Sequence, residues 1–267
     1  MSKKLNNGIS VIIPVHDLSG DNTMEYFNNA IKSVETQSQQ PDALMIVVPE
    51  NSDAEKTLKG YDFGGLKDKT TIVFNPGKTD FQSQLNYGVS EIETEWFVFL
   101  EMDDELSNKW IENVNLYKSA HDDVEIFLPI VVDVDEEGAF LGLTNEAVWA
   151  NSFSEELGIL DNSSLLNYEN FNIDGFACKK SVFDDFGGLK SNVKLTFIYE
   201  FLLRVTFNDA KVMVIPRFGY KHVNQREGSL FKNYQGEMNP VEAKWWLSQA
   251  KKEYYFKNER EITYSEN

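Results

Sequence analysis

The sequence is poor in cysteine, in positive charge and in long apolar runs, and each shortage narrows what the chain can be. Cys178 is the only cysteine, so no disulfide can close within the chain and a reducing compartment suits it. It stands between Ala177 and Lys179 with no paired nucleophile nearby, which is the setting of a packing residue. Lysine and arginine number 25 against 43 aspartates and glutamates, a net charge of −18. A broad binder of nucleic-acid backbone needs a basic stripe, so that class is excluded. A local basic pocket for a small phosphorylated ligand is not. No apolar run approaches the ~18 residues that span a bilayer. The opening "MSKKLNNG" has no apolar core behind its lysines, so it does not read as a secretion signal. These features predict a cytoplasmic protein.

The 267 residues suffice for one large domain with a proper core. "GISVIIPVHD" and "ALMIVVPENSD" are short β-branched runs, each ended by proline, and read as strands buried on both faces. "TTIVFNPG" and "EWFVFL" are two more. Helical spacing is predicted over Asp21 to Gln39, with Asp21 or Asn22 as cap, and over Phe81 to Val89. Strand, helix, strand, strand, helix, strand indicates an α/β domain with a mainly parallel sheet.

Further on, "VEIFLPIVVDVD" and "KVMVIPRFGYKH" read as strands. "CKKSVFDDFGG" reads as a short helix closed by Gly187 and Gly188. "TFIYEFLLRVTFND" and "VEAKWWLSQAKKEYYFKNE" read as helices, and Asn151 to Asn172 as loop. A single domain is expected, with residues 8–110 as a ligand-binding half, 111–235 as a second half that shapes the site, and 236–267 as a helical tail.

The stretch "EWFVFLEMDDEL" runs a buried strand straight into Glu101, Asp103, Asp104 and Glu105. In an open parallel sheet, ligands bind at the carboxyl ends of strands. On an extended chain, Glu101 and Asp103 point the same way. Two adjacent carboxylates repel unless a cation lies between them, and oxygen ligands of this kind suit Mg²⁺ or Mn²⁺ together with substrate phosphates. The competing reading is a solvated acidic turn that caps the helix "SNKWIENVNLY".

The ordered set "ISVIIPVHD", "MIVVPENSD", "SQLNYG", "WFVFLEMDDEL" resembles the nucleotide-binding half of family 2 glycosyltransferases with the GT-A fold, over about residues 8 to 110. The likeness continues more loosely through "GFACKKSVFDDFGGLK". It implies a Rossmann-like GT-A sheet and the transfer of a sugar, with inversion, from a nucleoside-diphosphate sugar to an acceptor hydroxyl. A UDP-sugar is the favoured donor and Mn²⁺ or Mg²⁺ the cofactor. It implies that Pro14, Val15 and His16 line the nucleotide pocket, that Glu50 holds the base or ribose, and that Asn86 lies near the nucleotide. Glu101 and Asp103 would replace the family's Asp-x-Asp pair. Asp103 would ligate the metal directly, and Glu101 would face the ribose or the metal through water. His16-Asp17, Pro49-Glu50 and Leu85 depart from the family pattern and leave the base and the sugar open.

An acceptor hydroxyl must lose a proton, and a carboxylate can take it as general base. Aligned on Arg204, the family's acidic pair falls on Phe197-Ile198. Glu200, one helical turn before Arg204, is the nearest carboxylate, and its competing reading is an i,i+4 ion pair with Arg204. Asp174, before Gly175, is the reserve base. In "YKHVNQREGSLF", His222 follows the last strand as a further metal or diphosphate ligand. Arg226, with Lys221 and Ser229 nearby, is a diphosphate contact. The aromatics Trp245, Trp246, Tyr254, Tyr255 and Phe256 crowd the terminal helix. They suit packing on the domain, a homo-oligomer contact, or a platform for sugar rings. Two other functions compete with transfer: a non-catalytic carbohydrate-binding or assembly protein on the same fold, and a nucleotidyltransferase. The second usually needs a glycine-rich loop with a basic residue, which "PVHDLSGDN" lacks.

Overall fold

A computed structural model of the chain describes residues 5–20, 22–145, 158–167, 173–224 and 240–257. The four apolar runs are the strands β1 (Asn6–Pro14), β2 (Ala43–Pro49), β3 (Thr70–Asn75) and β4 (Thr94–Phe99). They pair in parallel in the order β3-β2-β1-β4. The α/β architecture read from the sequence is therefore present, with helices on both sheet faces.

The helix α1 (Thr23–Glu35) is shorter than its apolar spacing predicts. Asn22 stands at its start in the left-handed region without a side-chain cap bond, and Asp21 lies outside the described residues. Beyond Glu35 the Gln37 side chain bonds Ser33 and Ser107 carbonyls at 2.9 and 2.8 Å. The turn-rich tail after β2 holds a short helix, α2 (Asp53–Leu58). Ser52 Oγ accepts from the Glu55 amide at 3.2 Å, and Glu55 Oε2 accepts from the Asn51 amide at 2.6 Å. Such reciprocal capping stabilises a helix start. The helix α3 (Phe81–Glu91) begins at Asp80, whose Oδ1 accepts from the Ser83 amide at 2.9 Å.

The second half extends the same sheet. It contributes β5 (Glu105–Leu106), α4 (Trp110–Ala120), β6 (Ile126–Val134), β7 (Phe140–Thr144), β8 (Ile159–Leu160) and α5 (Asn162–Asn167). Then come β9 (Ala177–Lys179), α6 (Lys180–Phe186), α7 (Phe197–Phe207), β10 (Val212–Val223) and α8 (Pro240–Glu253). The strand β9 lies antiparallel between β4 and β6, so β6, and β10 parallel to it, run in the direction of the first four strands. The short β5, β7 and β8 pair antiparallel at the margins. Residues 178–179, expected to begin a helix, are thus strand. Ordered elements at 159–160 and 162–167 replace part of the loop expected over 151–172.

Strand alternation splits the core. Ile9, Val11, Ile13, Trp96 and Val98 pack with Phe27 of α1 and Trp110 of α4 on one face. Ile12, Phe97 and Phe99 pack with Leu85 of α3, Phe183 of α6 and Phe201 of α7 on the other. The helix α8 docks there through buried Ala250, with Tyr254 just beyond its end also buried, so of the terminal aromatics Tyr254 takes the packing role. Trp245, Tyr255 and Phe256 remain exposed.

Two interruptions of the β10–β6 register fall between Val214 and Tyr220. Bulges re-aim side chains and recur beside active sites. A Cβ on Gly219 would lie 2.4 Å from the Trp110 ring, so only glycine fits where β10 crosses α4.

Candidate active site

The end of β4 delivers the acidic stretch into a tight turn, not an extended chain. The Asp104 amide donates to the Glu101 carbonyl at 3.3 Å, and Met102 between them is buried in the core. The extended spacing that set Glu101 beside Asp103 is therefore corrected. Asp104 swings inward and is buried, while Asp103 stays half-buried on the turn. The capping alternative is also corrected: α4 begins at Lys109 without a side-chain cap, and the acid in its first turn is Glu112.

Asp104 is held from two sides. The Tyr220 hydroxyl donates to its Oδ2 and the Val223 amide to its Oδ1, both at 2.8 Å. The same hydroxyl accepts from the Glu101 amide at 3.0 Å. Tyr220 thus ties β10 to the acidic turn through both of its hydrogen-bonding capacities. Burial first, then the charge of Asp104, holds its phenol well above the usual range, so it stays protonated.

Asp174 enters from the turn before β9. Trp110 Nε1 donates to the Gly175 carbonyl at 2.8 Å. Gly175 has φ +71°, and a Cβ there would meet Tyr220 Cδ2 at 2.5 Å. Glycine is required here both for the backbone angle and for the close approach. Asp174 is buried. Its carboxylate, that of Asp104 and the imidazole of His222 each place a ligand atom within 4.8 Å of the others. His222 Nδ1 lies 2.9 Å from Asp133 Oδ1, which leaves Nε2 as the nitrogen able to ligate.

The electrostatics follow from this crowding. Burial pushes Asp104 up to about 7 against the pull of His222, helped by Asp103 and Asp174. Burial, then the charges of Asp174, Asp104 and Asp103, pushes Glu101 well up too. Burial alone would lower His222, but Asp104, the bond to Asp133, Asp174 and Glu101 outweigh it and raise it to about 11. Carboxylates raised by burial and then by one another's charge, beside an imidazole that a carboxylate orients, make a donor set suited to a divalent cation. Two carboxylate oxygens and one imidazole nitrogen fit Mn²⁺, and the residues present therefore fit the cofactor expected from the sequence.

The other expected residues fall in three places. Pro14 and Val15 are buried at the end of β1, with the Val15 amide on the Val47 carbonyl at 2.8 Å, and His16 is partly exposed beyond them. Glu50 is exposed after β2; its charge is among the causes, after burial, that raise the Tyr87 phenol. Tyr87 and Asn86 line a cleft of about 350 Å³ between α3 and the Gly187–Gly188 turn. Both ends of the Asn86 amide are engaged there by the Leu189 backbone, each at 2.8 Å, so Asn86 braces this turn. Arg226 and Ser229 lie outside the described residues. Lys221 pairs with Glu105 across β10 and β5.

Glu200 is fully buried, and the structure gives it the ion-pair role. Arg204 Nε and Nη2 donate to its two oxygens, each at 2.9 Å, and Lys190 Nζ lies 3.1 Å from Oε1. The same guanidinium donates to the carbonyls of Phe186, Gly187 and Gly188. The pair clamps the C-terminal turn of α6. Sequence reasoning missed Asp104 as the inward carboxylate, and with it Tyr220 and Asp133. The one local signal was the pair of glycines, Gly175 and Gly219, flanking the site.

The profile described as Glycosyl transferase family 2 matches residues 10–186. A search of curated proteins finds no match. Among solved structures, the chain is similar to the 1–349 portion of S. aureus TarS in complex with UDP-GlcNAc, at 14% identity and a TM-score of 0.64, covering 91% of this chain and 65% of that one. The same portion in complex with UDP gives 13% identity and 0.59, covering 91% of this chain and 70% of that one. A further structure of that portion gives 14% and 0.59, with 80% of this chain on 60% of that one. The chain thus spans about three fifths of the length of the last of these chains, and the likeness speaks to fold. The parallel strands ending in an acidic turn, and a family match over well over half of the chain, converge: this chain belongs to glycosyl transferase family 2.

Proposed function

We propose that this chain transfers a sugar, with inversion, from a nucleoside-diphosphate sugar to an acceptor hydroxyl, with a divalent cation held by Asp104, Asp174 and His222. The observation that carries the reading is the convergence of these three side chains at the carboxyl end of β4, within 4.8 Å of one another. When bound, Mn²⁺ or Mg²⁺ would offset the charge developing on the leaving diphosphate. Asp103 and Glu101, on the same turn, are the next carboxylates in reach, Asp103 as a further ligand and Glu101 toward the ribose. A UDP-sugar is the favoured donor, in line with the UDP and UDP-GlcNAc complexes of TarS. The lone buried cysteine suits action in the cytoplasm.

Each residue has a task that its setting supports. His16, at the mouth beyond β1, contacts the nucleotide, and Glu50 beside Tyr87 holds the base or ribose. Asp174 is the base candidate that remains once Glu200 is committed to Arg204. Ligand and base are separable roles: Asp174→Asn loses cation binding in the first case, and loses turnover with binding intact in the second. The burial of Glu200 also favours a second reading, a nucleotide-sugar-binding protein that does not catalyse transfer.

The test is release of free nucleoside diphosphate from a panel of nucleotide sugars, with and without Mn²⁺. Cation-dependent release from at least one donor, abolished by Asp104→Asn, supports transferase chemistry. Cation-dependent binding without release supports the binding reading, and silence of every donor in both binding and release rejects both.

A further inference from the structure

We propose that Asp133 is the positioning residue of this site: it fixes the His222 ring so that Nε2 faces Asp104 and Asp174, and Thr144 fixes Asp133 in turn. The inference rests on the cation reading above and adds residues that touch neither cation nor substrate.

The three side chains come from adjacent strands. His222 on β10 is the register partner of Asp133 on β6, and β7, which carries Thr144, pairs antiparallel with β6. Thr144 Oγ1 donates to Asp133 Oδ2 at 2.9 Å, and Asp133 Oδ1 meets His222 Nδ1 at 2.9 Å. One carboxylate is thereby held at both oxygens, and one imidazole at one nitrogen. A carboxylate inside an apolar strand, between Val132 and Val134, needs such partners to offset its desolvation.

A histidine ring turns freely about its outer torsion, which is broad and roughly two-fold. A flip exchanges the positions of the ring nitrogen and carbon atoms and would turn a carbon toward the cluster. The Asp133 bond selects the rotamer with Nδ1 outward. An imidazole so restrained needs no further ordering when it takes up a cation. Partners of this kind commonly change metal affinity by 10–100-fold.

The experiment is Mn²⁺ titration of the full chain, followed by the electron paramagnetic resonance signal of free Mn²⁺, on the wild type, H222A, D133L, D133N and T144V. D133L removes the acceptor; D133N keeps a carbonyl acceptor for Nδ1–H but removes the charge. The expected result is a loss of about 10–100-fold in D133L, substantial rescue in D133N, and a smaller loss in T144V. D133L binding as tightly as wild type, or D133N losing as much as D133L, overturns the positioning role. Should D133L fail to fold, T144V carries the test, and unchanged affinity there overturns the proposal. A wild type that binds no Mn²⁺ overturns the cation reading itself. That outcome is distinct from a wild type that binds, loses affinity in H222A and keeps it in D133L.

Discussion

The Tyr220 hydroxyl donates to Asp104 Oδ2 at 2.8 Å while accepting from the Glu101 amide at 3.0 Å, so one phenol on β10 holds both ends of the acidic turn after β4. Tyr220→Phe keeps the ring against Gly175 and removes only the oxygen. Two buried partners then lose a bond, and unfolding in urea should show a loss of about 1–3 kcal/mol. The variant should also bind Mn²⁺ more weakly, because the Asp104 carboxylate keeps only the Val223 amide bond to fix it. Wild-type stability and affinity together would contradict this role.

Gly175→Ala tests the approach of the Asp174 turn to Tyr220. The new methyl would lie 2.5 Å from a ring carbon at a φ of +71°. Both effects act in the same direction, and a loss above about 1 kcal/mol is expected. Because the turn carries Asp174, Mn²⁺ binding should weaken in parallel.

The Glu200–Arg204 pair is fully buried on both sides. Glu200→Ala leaves the guanidinium without its carboxylate, and a loss of about 3–5 kcal/mol in chemical denaturation is expected. The double variant Glu200→Leu, Arg204→Met should be less destabilised than Glu200→Ala alone. Nucleotide-sugar binding in a folded Glu200→Gln protein should stay near wild type; its loss would return Glu200 to the site.

Proton linkage sets the direction of the pH dependence. Asp104 is raised to about 7 and His222 to about 11, above the usual carboxylate and imidazole ranges. Asp104 therefore contributes most below its unfolded range near pH 4 and loses that contribution as pH rises toward about 7. The contribution of His222 is complete below about 6.5 and is lost as pH rises toward about 11. Both residues must shed a proton to ligate, so the rise in melting temperature caused by Mn²⁺ should be larger at about pH 8.5 than at about pH 6. A larger shift at the lower pH, or one unaltered in His222→Gln, would contradict the assignment.

The sequence carried the four parallel strands because their runs are short, apolar and ended by proline or turn residues, which is a local signal. It also carried the acidic turn, since charge at a strand end is unusual. It did not show which carboxylate turns inward. The spacing of Glu101 and Asp103 predicts a shared face only on an extended chain, and the Glu101–Asp104 turn breaks that premise. Asp133, Thr144 and Tyr220 were hidden for another reason. The roles of Asp133 and Thr144 arise from the β6–β10 and β6–β7 registers, and that of Tyr220 from the approach of β10 to the acidic turn, contacts that join residues far apart in sequence. The strand β9 was masked by the helix that begins at the next residue. Glu200 was legible as one of two alternatives, and burial decides between them.

The most direct test is calorimetric titration of UDP-GlcNAc into the wild type and into His222→Ala, each with and without Mn²⁺. Binding by the wild type that requires Mn²⁺ and disappears in His222→Ala is the predicted result. Equal binding with and without the cation, unchanged by loss of the imidazole, would contradict a cation held by Asp104, Asp174 and His222.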